Sequence, residues 1–317
     1  MFNDSNILVT GGTGSWGVEL IKQLLTLHPK KIIIFSRNEN SQVELKRQLS
    51  DNRLLFFIGD IRDKEALMTA TTNVDYIFHL AALKHVPVCE DNPLEAIKTN
   101  VLGTQYIINS AIENNVKKVI YVSTDKAADP VNTYGMTKAL GERLMVHASL
   151  QKSNTQFVTI RGGNVLGSSG SVLPLFQKQI AELNEVHITD KQMVRYFISP
   201  EDAIKRLLKA TQIAKNGDIL VMNMDAFRII DLADVLIEHS GKEHVKLIEI
   251  GIRPGEKIEE VLIADGEKSS TYLIDDELFV ITQHKHIEDY TPLVADIIHP
   301  LLTKDEIKSL LKRSNFI

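Results

Sequence analysis

Short apolar, β-branched runs recur along this chain, separated by longer stretches in which apolar and polar residues alternate at helical spacing. Residues 6–10, 31–36, 54–58, 74–81 and 117–123 read as buried strands. Helical patterns lie between them near 15–27, 41–50, 63–73 and 92–115. Strand and helix taken in turn imply an α/β fold with a doubly wound parallel sheet. Residues 157–161 look like one more strand of that sheet. A faint internal echo, KKIIIFS at 30–36 and KKVIYVS at 117–123, places two lysines ahead of each of two strands. All four lysines are expected at solvent, with no function. After about residue 165 the alternation weakens, and Pro174, Pro200, Pro254 and Pro292 punctuate shorter elements. Helices are expected at 201–214, 230–239 and 304–312. The reading is a sheet domain over 1–165, to which some later segments return, and a smaller substrate-binding α/β lobe over 166–317.

Composition narrows the function. The 317 residues amount to about two domains by length. Forty-one acidic against 36 basic residues leave a net charge of -5. That argues against nucleic acid or an anionic membrane as partner, since each needs a basic surplus on one face. A local basic pocket for a phosphorylated small molecule remains open. Cys89 stands alone, with no partner for a disulfide or a CxxC zinc site, which fits a reducing cytoplasm. The apolar runs are strand-sized and far short of a membrane span. The start, Met1-Phe2-Asn3-Asp4, enters a strand at once and has no signal-peptide pattern. Of the histidines, His284 and His286 alone approach metal-ligand spacing, and a solvated turn explains them; no metal is expected.

The first strand leads into Thr10-Gly11-Gly12-Thr13-Gly14-Ser15-Trp16-Gly17 and then a helix. Glycines at 11, 14 and 17 allow a tight turn, close approach to a pyrophosphate and close helix–strand packing. The helix N-terminus then faces the phosphates. A glycine triplet alone is a weak signal, and its place on a strand–turn–helix at the start of the chain strengthens it. The expected fold is therefore Rossmann-like. Ser36 and Arg37 end the second strand, where an NAD site usually carries a carboxylate. A hydroxyl and a guanidinium suit a 2′-phosphate, so NADP is expected ahead of NAD; the alternative is a solvated loop arginine. Asp60 and Ile61 are placed beside the adenine, and Ala81 and Ala82 beside the cofactor backbone.

Tyr134 and Lys138 share one helix face at a spacing of four. The ammonium is expected to favour tyrosinate, letting Tyr134 exchange a proton with a substrate hydroxyl. Thr124, Asp125 and Lys126 lie at the carboxyl end of the preceding strand, where open α/β sheets bind ligands. A carboxyl and an amine side by side offer an acid and a base. A solvated Asp–Lys loop pair is the alternative.

Together these motifs resemble the extended short-chain dehydrogenase/reductases, and most closely their inverting, 5-epimerising UDP-N-acetylglucosamine 4,6-dehydratases of pseudaminic acid type. The similarity runs to about residue 285. It is carried by TGGTGSWG at 10–17, SR at 36–37, GDIRD at 59–63, AALKHVPVCEDNP at 81–93, KTNVLGT at 98–104, STDKAADPVNTYGMTK at 123–138, RGGNVLGSSGSVLP at 161–174 and RPGEK at 253–257. The resemblance implies that Tyr134, aided by Lys138 and Thr124, takes the sugar 4-hydroxyl proton while hydride passes from C4 to NADP. Lys126 would then remove the C5 proton and Asp125 would protonate the departing 6-hydroxyl, before hydride returns to C6 and C5 is reprotonated with inversion. An acid of this kind needs a raised pKa, which burial under the sugar is expected to supply. Lys84, His85, Asn100, Asn164, Val172, Arg195, Arg253 and Glu256 would bind the UDP-sugar, with Val165 beside Asn164. The relatives are oligomers, so a homo-oligomer (dimer or hexamer) is implied, with faces from the helices near 92–115 and 133–150.

Three positions depart from the family. Gly162 replaces the tyrosine of RYGNV, Ser169 the arginine of SRGSV, and Met136 a common alanine. The first two remove a ring and a guanidinium near the sugar nucleotide and leave the acid, base and redox residues intact. Alternatives stay open: an enzyme making or processing a UDP-5,6-ene hexosamine, a UDP-hexosamine C4 epimerase, or a non-catalytic sugar-nucleotide sensor.

Overall fold

In the computed structural model, which describes residues 1–282, 290–293 and 300–317, the N-terminal alternation folds as its periodicity demands. It runs β1 (Asn6–Thr10), α1 (Ser15–Leu25), β2 (Lys31–Ser36), α2 (Glu39–Leu49), β3 (Leu54–Ile58), α3 (Lys64–Ala70) and β4 (Tyr76–His79). Then come α4 (Val86–Asp91), α5 (Pro93–Ala96), a π-helical stretch (Ile97–Leu102), α6 (Gly103–Glu113), β5 (Lys118–Thr124), α7 (Thr133–Ser149) and β6 (Gln156–Gly162). Side-chain caps set several helix starts: Asn38, Asp63 and Asn132 accept from the first-turn amides of α2, α3 and α7. The helical pattern near 92–115 is thus one run broken in register, with a π-turn in its middle. The His284–His286 turn and His299 lie outside the described residues.

After β7 (Asn164–Val165) follow α8 (Val172–Leu183), β8 (Glu185–Ile188), β9 (Val194–Ile198), α9 (Pro200–Ile213), β10 (Ile219–Met222) and β11 (Asp225–Arg228). The remainder is α10 (Ile229–Ser240), β12 (Lys246–Glu249), β13 (Thr271–Asp275), β14 (Leu278–Ile281), β15 (Thr291–Pro292) and α11 (Lys304–Arg313). The large sheet orders β15-β13-β14-β10-β6-β5-β4-β1-β2-β3. Strands from β10 to β3 are parallel, and β14, β13 and β15 add an antiparallel edge.

Strand parity sorts the core. On β1, Ile7 and Val9 face the layer holding α1 and α9, while Leu8 faces the layer of α3, α6 and α7. A third cluster, with Phe176, Phe197, Phe227 and Leu310, joins α8, α10 and α11 into the lobe. In the lobe's small sheets β9 pairs with both β11 and β7, and β12 pairs with β8. One expectation fails here. Lys30, Lys31 and Lys117 are exposed, but Lys118 is buried and donates to the Thr211 and Ala214 carbonyls at 3.0 and 3.1 Å. Lys118 is the first residue of β5 and its side chain runs to the end of α9, whereas Lys117 lies just before the strand and reaches water.

Candidate active site

A cavity of about 710 Å³ opens where the parallel strands end. At one end the turn after β1 is shaped by glycine. Gly11 has φ +70°, and a Cβ there would sit 2.9 Å from the Ala81 nitrogen. A Cβ on Gly17 would come within 2.5 Å of Gly12. Helix α1 therefore starts hard against the turn, and no side chain caps it at Gly14. Its free N–H groups make a cradle that fits the pyrophosphate of a dinucleotide. Gly11, Thr13, Gly14, Ser15, Trp16 and Gly17 all line the cavity.

Ser36, Arg37, Ile61, Ala81 and Ala82 line the same end. Gln42 donates to the Ser36 hydroxyl at 3.0 Å, fixing the end of β2. Asp60 is not in the lining. Arg62 grips its carboxylate and holds it below the usual range, with Arg37 a further 3.9 Å away.

The residues expected to react stand at the end of β5 and on α7. Thr124 hydrogen-bonds the Tyr134 phenol, and its own hydroxyl donates to Asp125 Oδ1 at 2.8 Å. Asp125 is fully buried, and its Oδ2 lacks a partner among the described residues. Lys126 Nζ donates to Asp125 Oδ1 at 3.1 Å and lies on the cavity wall with Thr124, Tyr134 and Lys138. Asp125 itself sits just behind that wall. The turn is pressed against α7 at Gly135, where a Cβ would meet the Lys126 carbonyl oxygen at 2.3 Å.

The electrostatics of the tyrosine differ from expectation. Burial pushes the Tyr134 phenol above its ordinary range, and the Thr124 hydrogen bond opposes this only in part. Lys138 does not draw it down. Its Nζ donates to the Val122 carbonyl at 2.6 Å and lies 3.8 Å from the Tyr121 ring centre, and burial brings its own pKa to about 7. Below it, His79 bridges Thr10 and Thr104 and is kept neutral by burial, with a pKa of about 3.

At the far end, Lys84, His85, Asn164, Val165, Val172, Arg195, Arg253 and Glu256 line the cavity. Asn100 does not. It is buried on the π-turn, and its amide accepts from the Leu83 N–H and donates to the Leu83 carbonyl and Thr137. All its capacity goes to bracing the segment after β4 against α7. Among the described residues, no three His, Cys, Asp or Glu side chains gather to hold a metal. No described helix is long and apolar enough to cross a membrane.

The pattern that describes the polysaccharide biosynthesis proteins matches residues 7–282. The chain belongs to that family. An inverting UDP-N-acetylglucosamine 4,6-dehydratase of Campylobacter jejuni is 45% identical over 276 residues, 86% of this chain and 81% of that one. A UDP-glucose 4-epimerase of Rickettsia felis is 42% identical over 273 residues, 84% of this chain and 80% of that one. An uncharacterized membrane protein of Methanocaldococcus jannaschii is 42% identical, covering 100% of this chain and 98% of its own. Among solved structures, Pen from Bacillus thuringiensis superposes over the whole of both chains with a TM-score of 0.96 at 37% identity.

Against that family the departures acquire physical content. A Cβ on Gly162 would lie 3.3 Å from Met222 Sδ and 3.8 Å from both Met224 and Trp16. Thioethers and an indole thus occupy the space in which a tyrosine at this position would need room. Ser169 ties its loop down: its N–H donates to the Ser15 hydroxyl at 3.1 Å, and its carbonyl accepts from Lys84 at 3.1 Å. Met136 is half exposed on α7.

Sequence reasoning missed two residues. Lys257 reaches the Asp129 carbonyl and carboxylate, and Glu260 lies buried 3.5 Å from Lys126 Nζ. The one available signal was a pair of glutamates, Glu259 and Glu260, abutting the apolar run 261–263.

Proposed function

We propose that this chain is a UDP-N-acetylglucosamine 4,6-dehydratase that inverts C5, serving synthesis of pseudaminic acid or a related deoxy amino sugar. The observation that carries this is Lys126, an amine held against a buried carboxyl on the wall it shares with Tyr134. A C4 epimerase has no step that uses such a pair.

In this reading Tyr134 takes the 4-hydroxyl proton, with Thr124 holding the phenol in place. A bound nicotinamide dinucleotide supplies the hydride acceptor at C4, the return of hydride at C6, and a positive ring charge that favours tyrosinate. The 4-ketone acidifies C5–H, and Lys126 removes that proton as a free amine. Asp125, through its unpartnered Oδ2, protonates the leaving 6-hydroxyl, and C5 is reprotonated from the opposite face. Arg253 suits the diphosphate, with Glu256 beside it, and Lys84, His85, Asn164 and Val172 the sugar end; Arg195 lines the cavity while its guanidinium holds the Val194, Lys257 and Ile258 carbonyls. NADP is favoured over NAD because Arg62 already satisfies Asp60, leaving the half-exposed Arg37 for a 2′-phosphate. Release and mass spectrometry of the co-purifying dinucleotide tests that choice. A cytoplasmic location and a homo-oligomer complete the reading; exposed Val88, Leu94, Leu102, Met136 and Leu140 on contacting helices support the second.

Incubation with UDP-N-acetylglucosamine in heavy water, without added cofactor, is expected to yield a 4-keto-6-deoxy product deuterated at C5. Lys126→Ala is expected to abolish the C5 label. Unchanged substrate with dinucleotide confirmed bound rules the reading out. The altered surroundings of Gly162 and Ser169 favour one second reading, a partial reaction that ends at or starts from a 5,6-ene. Mass spectrometry with NMR of the product separates the two.

A further inference from the structure

Glu260 stands where a core residue would be expected, with a side chain only 4% exposed. Burying a carboxylate is costly unless it is paired, and its partner here is the amine just assigned to C5. The segment that delivers it is fastened on both sides. Ahead of it, Arg195 donates to the Lys257 and Ile258 carbonyls at 2.7 and 2.9 Å, and Asn132 donates to the Gly255 carbonyl at 2.7 Å. Lys257 adds its ion pair with Asp129. Beyond it, buried Arg161 donates to the Leu262 carbonyl at 3.0 Å and to Glu267 at 2.7 Å. Asn132 also caps α7, so the helix bearing Tyr134 and the segment bearing Glu260 share a fixed joint.

Two acidic side chains therefore flank Lys126, Asp125 from its own turn and Glu260 from a distant segment, and with Asp125 carrying the proton for the 6-hydroxyl the counter-charge falls to Glu260. A lysine paired with a buried carboxylate must pass a proton on before its nitrogen can take one from C5. Asp125 offers no outlet in this arrangement: Oδ1 already accepts from Thr124 and Lys126, and Oδ2 is the proposed acid. We propose that Glu260 is a positioning residue for Lys126, whose carboxylate takes the ammonium's spare proton and so frees the amine to act at C5. The proposal rests on the dehydratase reading.

The step balances. One N–H bond breaks and one O–H bond forms, turning a buried ion pair into a neutral acid and a neutral amine. No electron changes hands. When the amine takes the C5 proton it becomes ammonium again. Asp125, having given its own proton to the leaving hydroxyl, is then the carboxylate that balances it. Burial favours the protonated form of Glu260, and Asp125 adds to this once it has given up its proton; Lys126, Arg195 and Lys257 are the charges that face it and oppose.

The test uses the holoenzyme with UDP-N-acetylglucosamine in heavy water, in single turnovers from pH 6 to about 9. Deuterium at C5 and near-ultraviolet absorbance of the reduced nicotinamide are followed together. Wild-type C5 exchange is expected to be flat near neutrality, because the proton moves within the pair. In Glu260→Gln the amine is freed only by loss of a proton to solvent. Its C5 exchange is expected to fall about tenfold more than C4 oxidation and to climb with pH, about tenfold per unit. Glu260→Asp, still ionisable, is expected to restore the flat profile at reduced rate. It carries the test if Glu260→Gln fails to retain its dinucleotide, and a profile that climbs in Glu260→Asp then overturns the assignment. A purely structural role would lower both readouts together and leave the profile flat, and that result in Glu260→Gln overturns the proposal. Wild-type enzyme that oxidises C4 without labelling C5 overturns the dehydratase reading itself.

Discussion

At the scale of single residues, burial has changed the ordinary protonation of Tyr134, Lys138, His79 and Glu260. Lys138 is the clearest case. Its ammonium lies 3% exposed over an aromatic ring, and its pKa falls from 10.5 to about 7. The unfolded chain keeps that proton up to about pH 10, so between the two values U binds more protons than N. Stability from this group is then complete above the unfolded pKa and lost as pH falls through 7. Relative to Lys138→Met, the wild type is expected to gain on the order of 3 kcal/mol between pH 7 and 10, read from paired urea titrations. A constant difference across that window would show that the lysine is not desolvated. The residues legible in sequence were those with local spacing. Tyr134 and Lys138 are one helical turn apart, and Thr124 to Lys126 are consecutive. Glu260 was not legible, because nothing local marks a carboxylate whose partner lies on a distant strand end. The sign of the Tyr134 shift was also out of reach, since it depends on burial rather than on the neighbouring cation.

At the scale of elements, periodicity located most strands and helices of the first 165 residues to within about two or three residues, and beyond them α9, α10 and α11, while α8 and the strands from β7 to β15 went unread. The bounds expected for β1, β2 and β3 match the structure, because buried parallel strands are continuous apolar runs with polar ends. The π-turn at Ile97–Leu102 was hidden, as an extra residue per turn leaves the apolar pattern nearly intact. Lys118 shows where pattern and physics part. It closes the C-terminus of α9, whose last carbonyls at Thr211 and Ala214 would otherwise be buried without donors. Lys118→Met is expected to lower stability by about 2 kcal/mol. Lys117→Met, which breaks a pair whose lysine side chain is 64% exposed, is expected to cost less than about 1 kcal/mol. Equal urea midpoints for the two variants would remove the capping role.

At the scale of the whole molecule, the sheet, lobe and cavity form one arrangement in which a distant segment returns to complete a site begun at the N-terminus. That return means that the expected boundary near residue 165 does not divide the fold: β10, β13, β14 and β15 belong to the large sheet. It also leaves one surface without an internal purpose. Leu94, Leu102, Met136 and Leu140 are 41–60% exposed on helices that contact one another. Scattered exposed apolar residues need no explanation, but several on one contiguous helical face do. Closed symmetric pairing brings such a face against its own copy, so each substitution acts twice in the interface. Wild-type protein is expected to scatter light as at least twice the 35.6 kDa chain mass. Leu102→Glu with Leu140→Glu is expected to bring it to a single chain, since two buried, unpaired carboxylates per copy would cost more than a typical interface returns. A wild-type mass of one chain, or a variant that stays associated, would mean that this face is not where copies meet.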